Sequence, residues 1–83
     1  MKEIKFYRQH ISNANLSDYI QMEYGDIINP FSYDNMTVYL YFNKINKKFY
    51  LIHFCYEKFG DNDILISEEL DIIDVLILQI LKS

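Results

Sequence analysis

The chain has 83 residues, 51% of them hydrophobic, with 12 acidic against 8 basic side chains and a net charge of −4. That length fits a single domain, 1–83, with a small core, and two glycines and one proline argue against a disordered linker or tail. A lone cysteine, Cys55, excludes an internal disulfide and suits a reducing compartment.

No run approaches the roughly 20 apolar residues of a bilayer span, and the opening MKEIKFYRQH lacks a secretory h-region. The expectation is a cytoplasmic protein with no membrane segment. Charge is uneven: residues 1–56 hold six basic and five acidic side chains, residues 57–83 two and seven. A first part this weakly basic, with Lys44, Lys47 and Lys48 its only cluster, offers no phosphate-binding stripe, so direct nucleic-acid binding is not expected.

In chain order, residues 2–8 alternate as a strand, Ile4 and Phe6 against Glu3, Lys5 and Tyr7, while Ile4, Tyr7 and Ile11 also sit at helical spacing and leave a helix as the alternative. SNAN at 12–15 supplies capping residues before a short helix over 15–24, with Leu16, Tyr19, Ile20 and Tyr24 on one face and Gly25 as its stop. Residues 26–35, containing Pro30, read as a connecting loop that carries Phe31 and Tyr33. Then comes the densest pattern in the chain. Nine of the fourteen aromatics fall between Tyr33 and Phe59, and two runs, MTVYLYFN and KFYLIHFCYEKF, predict a hairpin over 36–57.

A turn at 43–48, with Asn46 best able to take a positive φ, places Phe42 opposite Phe49, Leu40 opposite Leu51, Val38 opposite His53 and Met36 opposite Cys55 on one face. Thr37, Tyr39, Tyr41, Tyr50, Ile52, Phe54 and Tyr56 form the other. FGDND at 59–63 is a turn, and Ile64–Ile66 a short third strand. Ser67 caps a helix over 67–82. Its broad apolar face is Leu70, Ile73, Leu76, Ile77, Ile80 and Leu81; Ile72, Val75 and Leu78 fall among the polar positions Glu68, Asp71, Asp74, Gln79 and Lys82. The architecture expected is α+β: a small antiparallel sheet, the hairpin 36–57 plus one or two short strands, packed by the helix 67–82 and edged by the helix 15–24.

Reaction chemistry finds little support in these residues. His53, Cys55 and Glu57 lie on one strand face, but side chains two apart stand about 6.5 Å from each other, too far for His53 to activate Cys55. A buried thiol beside a histidine is the plainer account, and neither a metal nor a cofactor is expected. His10 and His53 would make an acid and base pair for RNA cleavage only if folding joined them. DND at 61–63 starts like a calcium loop, yet Leu65, Ile66 and Ile72 occupy its later ligand and glycine positions. Glycine-rich phosphate loops, GxSxG, HExxH and paired CxxC motifs are absent.

Two features point to binding instead. Tyr39, Tyr41, Tyr50, Tyr56 and Phe54 offer rigid contact area with polar tips. Asp61, Asp63, Glu68, Glu69, Asp71 and Asp74, with Glu57, could imitate phosphates and steer the chain to a basic surface; the plain alternative is solvation of a turn and a helix face. In size, acidity and aromatic content the chain resembles phage anti-defence proteins, including anti-CRISPRs, and toxin-immunity proteins. The expectation is a non-enzymatic inhibitor that occludes a larger protein. The alternative is a homo-oligomer, a dimer in the simplest case, that buries the tyrosine face or the Ile72, Val75, Leu78 ridge and holds a small ligand such as a nucleotide.

Overall fold

The alternation over 36–57 does make a hairpin. In the computed structural model, which describes residues 3–23, 27–56 and 62–82, six strands precede one helix: β1 (Phe6–His10), β2 (Tyr19–Gln21), β3 (Phe31–Tyr33), β4 (Met36–Asn43), β5 (Phe49–Tyr56), β6 (Asn62–Ser67) and α1 (Ile72–Lys82). The sheet is antiparallel in the order β1-β6-β5-β4-β2, and β3 also pairs with β4. The α+β class therefore stands. Phe42 faces Phe49 and Leu40 faces Leu51, the register expected. The positive φ, however, belongs to Lys47 (63°). Asn46 uses its side chain instead, accepting from Lys48 N at 2.9 Å and donating to Tyr50 OH at 2.6 Å.

One face of the sheet carries the main core. Val38, Leu40, Leu51, Leu70 and Val75 are fully buried there, with Ile4, Phe31, Tyr33 and Leu78 nearly so, and each fully buried side chain stabilises the fold by about 1.5–3 kcal/mol. The segment expected as a loop over 26–35 contributes β3. Asp34 and Asn35 both take left-handed φ (49° and 64°), a conformation these two residues tolerate. This two-residue turn lets Phe31 pair with Val38 and Tyr33 with Met36.

β1 and β2 lie at opposite edges of the five-strand path, so residues 11–18 must cross it. The helix expected over 15–24 does not form. Two 3-10 turns, Ile11–Asn13 and Leu16–Asp18, lead into β2, and Tyr24 and Gly25 lie outside the described residues. The physical reason is the open edge of β4, which residues 19–21 of that span join as a strand. Pairing along β4 then satisfies the backbone, with Tyr19 opposite Asn43 and Gln21 opposite Tyr41. The crossing segment lies against β6, and Tyr19 meets Tyr50 edge-on at 5.3 Å. It therefore straps the second face, where Ile52 and Ile64 are fully buried.

The third strand runs 62–67, longer than expected, and the helix starts at 72 instead of 67. Ser67 cannot cap a helix because its hydroxyl serves the sheet, accepting from Leu51 N at 2.8 Å and donating to Glu68 O at 2.9 Å. Leu70 continues as extended chain, exchanging two backbone bonds with Phe49. Asp71 and Asp74 provide the cap: Asp74 Oδ2 accepts from Asp71 N at 3.0 Å while Val75 N donates to Asp71 O, half of a capping box.

Candidate protein-binding surface

Helix α1 turns an unexpected side inward. Val75 and Leu78, expected with Ile72 as an outward ridge, are 0% and 3% exposed, while Ile73, Leu76, Ile77 and Ile80 are 65%, 45%, 44% and 72% exposed. Only Ile72, at 39%, keeps the exposure expected of it. Two tethers set this rotation. The Leu70–Phe49 bridge anchors the chain just before the helix, and Gln79 clamps the backbone of Ile28, accepting from its N–H at 3.2 Å and donating to its carbonyl at 3.1 Å. Gln79 must face the body to make both bonds, and Val75 and Leu78 share its side.

The outer ridge is large for a chain of this size. Ile72, Ile73, Leu76, Ile77 and Ile80 together expose the equivalent of about two and a half whole aliphatic side chains. At 1.5–3 kcal/mol each, covering them would release roughly 4–8 kcal/mol. Ile72 also walls a groove of about 430 Å³, completed by Ile20, Met22, Ile27, Phe42 and Phe49. Phe42 and Phe49, 5.2 Å apart, are therefore only half-buried members of the expected core row. Ile72 joins ridge and groove, and among the described residues no charged side chain lines the groove.

The tyrosine row on the second face divides under the strap. Tyr50 is 8% exposed, so as an anchor for a partner it is already committed to Tyr19 and Asn46. Tyr39, Tyr41 and Phe54 stay half-buried as an edge-to-face group, with Phe54 5.6 Å from Tyr39 and 6.5 Å from Tyr41. The side chain of Tyr56 lies outside the described residues. Burial pushes the Tyr50 phenol above its ordinary value, and the Asn46 bond opposes that shift in part. The folded chain thus holds this proton longer than the unfolded one. Stability should be level below the unfolded phenol value of about 10 and fall as pH rises through the folded one. Tyr50→Phe should remove a component that ionises above the ordinary phenol value from an alkaline absorbance titration; an unchanged trace would contradict the burial.

The acidic set serves the fold more than it forms an array. Asp63 pairs with Arg8 at 2.7 Å, Glu68 Oε2 accepts from Lys5 N at 2.9 Å, Asp71 meets Lys48 Nζ at 3.0 Å, and Asp74 caps α1. Glu69 is exposed. Glu57 and Asp61 lie outside the described residues. The Lys48 ammonium is held above its ordinary value, first by its hydrogen bond to Asp71.

His10 and His53 share a sheet face but sit two strands and two residues apart, about 10–12 Å by strand spacing. His10 Nδ1 meets Ser12 Oγ at 2.7 Å, and His53 Nδ1 donates to Thr37 O at 2.9 Å. Each ring is held by a separate neighbour. Cys55 is a half-buried free thiol. Among the described residues, no three His, Cys, Asp or Glu side chains gather to hold a metal, and no helix is long and apolar enough to cross a membrane.

What sequence reasoning missed is the identity of the exposed helix face. Gln79 was its one local signal, a polar residue aligned with Val75 and Leu78. No protein-family model, curated protein or solved structure matches this chain.

Proposed function

We propose that this chain is a non-catalytic binding protein that acts by covering a surface of a larger protein, in the manner of an inhibitor. The observation that carries the reading is the apolar ridge of α1 with its groove: the large apolar patch of a small protein is often its site of macromolecular contact. Tyr39, Tyr41 and Phe54, on the opposite face of the sheet, supply a second contact from rings already ordered against one another, so little side-chain entropy is lost on binding. Seven of the twelve carboxylates fall within 57–83, which draws the chain toward a basic partner and raises the association rate. Among the described residues no cation lines the groove, which favours protein over a nucleotide as its occupant. A reducing, cytoplasmic site of action accords with the free thiol.

Capture from a native-host lysate tests this, using wild type, a ridge variant (Leu76→Glu) and a corner variant (Tyr39→Ala with Tyr41→Ala), each with the wild-type circular dichroism spectrum. Loss of a given captured protein by at least tenfold in one of the variants, and slower capture as salt rises, is expected. Identical capture by all three would overturn the reading.

A further inference from the structure

We propose that the chain covering the ridge is a second copy of this one, α1 packing antiparallel on α1 about a two-fold axis that passes between Leu76 and Ile77. This rests on the reading of the ridge as a contact surface and names its occupant. The larger target would then meet the aromatic corner, which lies on the other side of the sheet.

The ridge is self-complementary under that operation. Ile73, Leu76, Ile77 and Ile80 are spaced symmetrically about the point between residues 76 and 77, so the axis sets Ile73 opposite Ile80 and Leu76 opposite Ile77 in both copies. An isologous interface demands such a patch. The i, i+3, i+4, i+7 spacing is also the stripe by which helices interdigitate. All four positions are apolar and none needs a polar partner.

Charge selects the antiparallel direction. Each copy carries −4, and Asp71 and Asp74 sit at the start of the helix. With the axis at the ridge midpoint, the two Asp71 positions fall about 16 Å apart along the helices at 1.5 Å per residue. The Asp71 separation exceeds the screening length of about 8 Å at physiological salt, and the two Asp74 positions, about 7.5 Å apart along the helices, lie near it. A parallel pairing would set them side by side. Antiparallel helices also bring each positive N-terminal end beside a negative C-terminal end. In area, the ridge stands with the largest apolar patches of ordinary monomers, roughly 300–600 Å². The adjoining groove, with Ile20 49% exposed, extends it toward the roughly 800 Å² per partner of a standard interface.

Light scattering on the full chain at about 100 µM gives the test. Wild type should show twice the chain mass, and Ile80→Glu should shift the protein to monomer, whereas Ile45→Glu, at an exposed turn residue far from the helix, should leave the dimer intact. Because residue 73 faces residue 80 across the axis, Ile73→Lys combined with Ile80→Glu should restore the dimer. A parallel pairing would instead oppose like charges. A monomeric wild type, a dimer indifferent to Ile80→Glu, or failure of the double variant to recover overturns the proposal. A monomer that still captures another protein through the ridge would leave the binding function standing and identify a different chain as the occupant.

Discussion

Leu51→Ala is expected to lower the thermal midpoint by roughly 10–30 °C and to leave much of the chain unfolded at 37 °C. Leu51 is fully buried in the main core, faces Leu40 across the β4–β5 ladder, and sends its N–H to Ser67 Oγ. Removing a buried leucine side chain costs about 2–5 kcal/mol, the upper part reflecting a cavity the neighbours do not fill. In a chain of this length, 1 kcal/mol moves the midpoint by about 4–8 °C. Total stability for small domains lies near the lower end of about 5–15 kcal/mol, so one such loss consumes a large fraction. Thermal unfolding followed by circular dichroism reads the effect directly. A shift below about 5 °C would mean that Leu51 does not lie at the centre of the core. Ile45→Ala is the matched control: that side chain is 71% exposed in the hairpin turn, and its loss should stay within about 0.5 kcal/mol.

The contrast between these two isoleucine and leucine positions was readable in the sequence, because strand alternation assigns faces without knowledge of the rest of the chain. Val38, Leu40 and Leu51 follow from period two, and the Phe42–Phe49 pairing follows from the turn length. The class of fold, a small antiparallel sheet with a C-terminal helix, follows too. β3 was concealed by Pro30 and the polar residues around it, although Asp34–Asn35 between Phe31, Tyr33, Met36 and Val38 was a local hairpin signal. Two other features have causes far apart in the chain. Residues 11–18 cross the sheet in two 3-10 turns and 19–21 form a strand because β1 and β2 occupy opposite edges, and no local pattern specifies which edge a strand will join. Rotation of α1 is set by Phe49 holding Leu70 and by Ile28 holding Gln79. Periodicity favoured burying Ile73, Leu76, Ile77 and Ile80, the greasier side, and long-range tethers overrode it. The candidate surface therefore arises where local hydrophobicity and tertiary constraint disagree, as expected at a functional site.

Asn29→Ala should destabilise the chain by about 2–4 kcal/mol, and Asn29→Asp at least as much at neutral pH. β3 pairs with β4 at residues 36–38 and β2 pairs with it at 41–43, leaving the edge of Leu40 between them. The Asn29 side chain fills that gap. Its Oδ1 accepts from Leu40 N at 3.0 Å, and its Nδ2 donates to Leu40 O and to Met22 O. One amide thus substitutes for a missing residue of strand and ties β2 to β4. Alanine removes the two donated bonds, together worth about 1 kcal/mol net because Met22 N still serves Leu40 O, and leaves the N–H of a buried residue without its acceptor, which adds about 1–3 kcal/mol.

Aspartate retains the acceptor for Leu40 N but turns a carboxylate oxygen on two carbonyls. Protonation would restore one donor. The folded-state value of the new carboxyl should therefore rise above the unfolded value of about 3.9, so its stability is present below the unfolded value and lost as pH climbs through the folded one. Urea unfolding at neutral pH and again near pH 5 should show the aspartate deficit shrinking toward acid while the alanine deficit stays level. Parallel deficits, or an aspartate variant as stable as wild type, would refute this role. The effect also reaches the candidate surface: β2 carries Ile20 and is followed by Met22, both walls of the groove beside α1, so loosening β2 should weaken any complex that uses the groove before it unfolds the core.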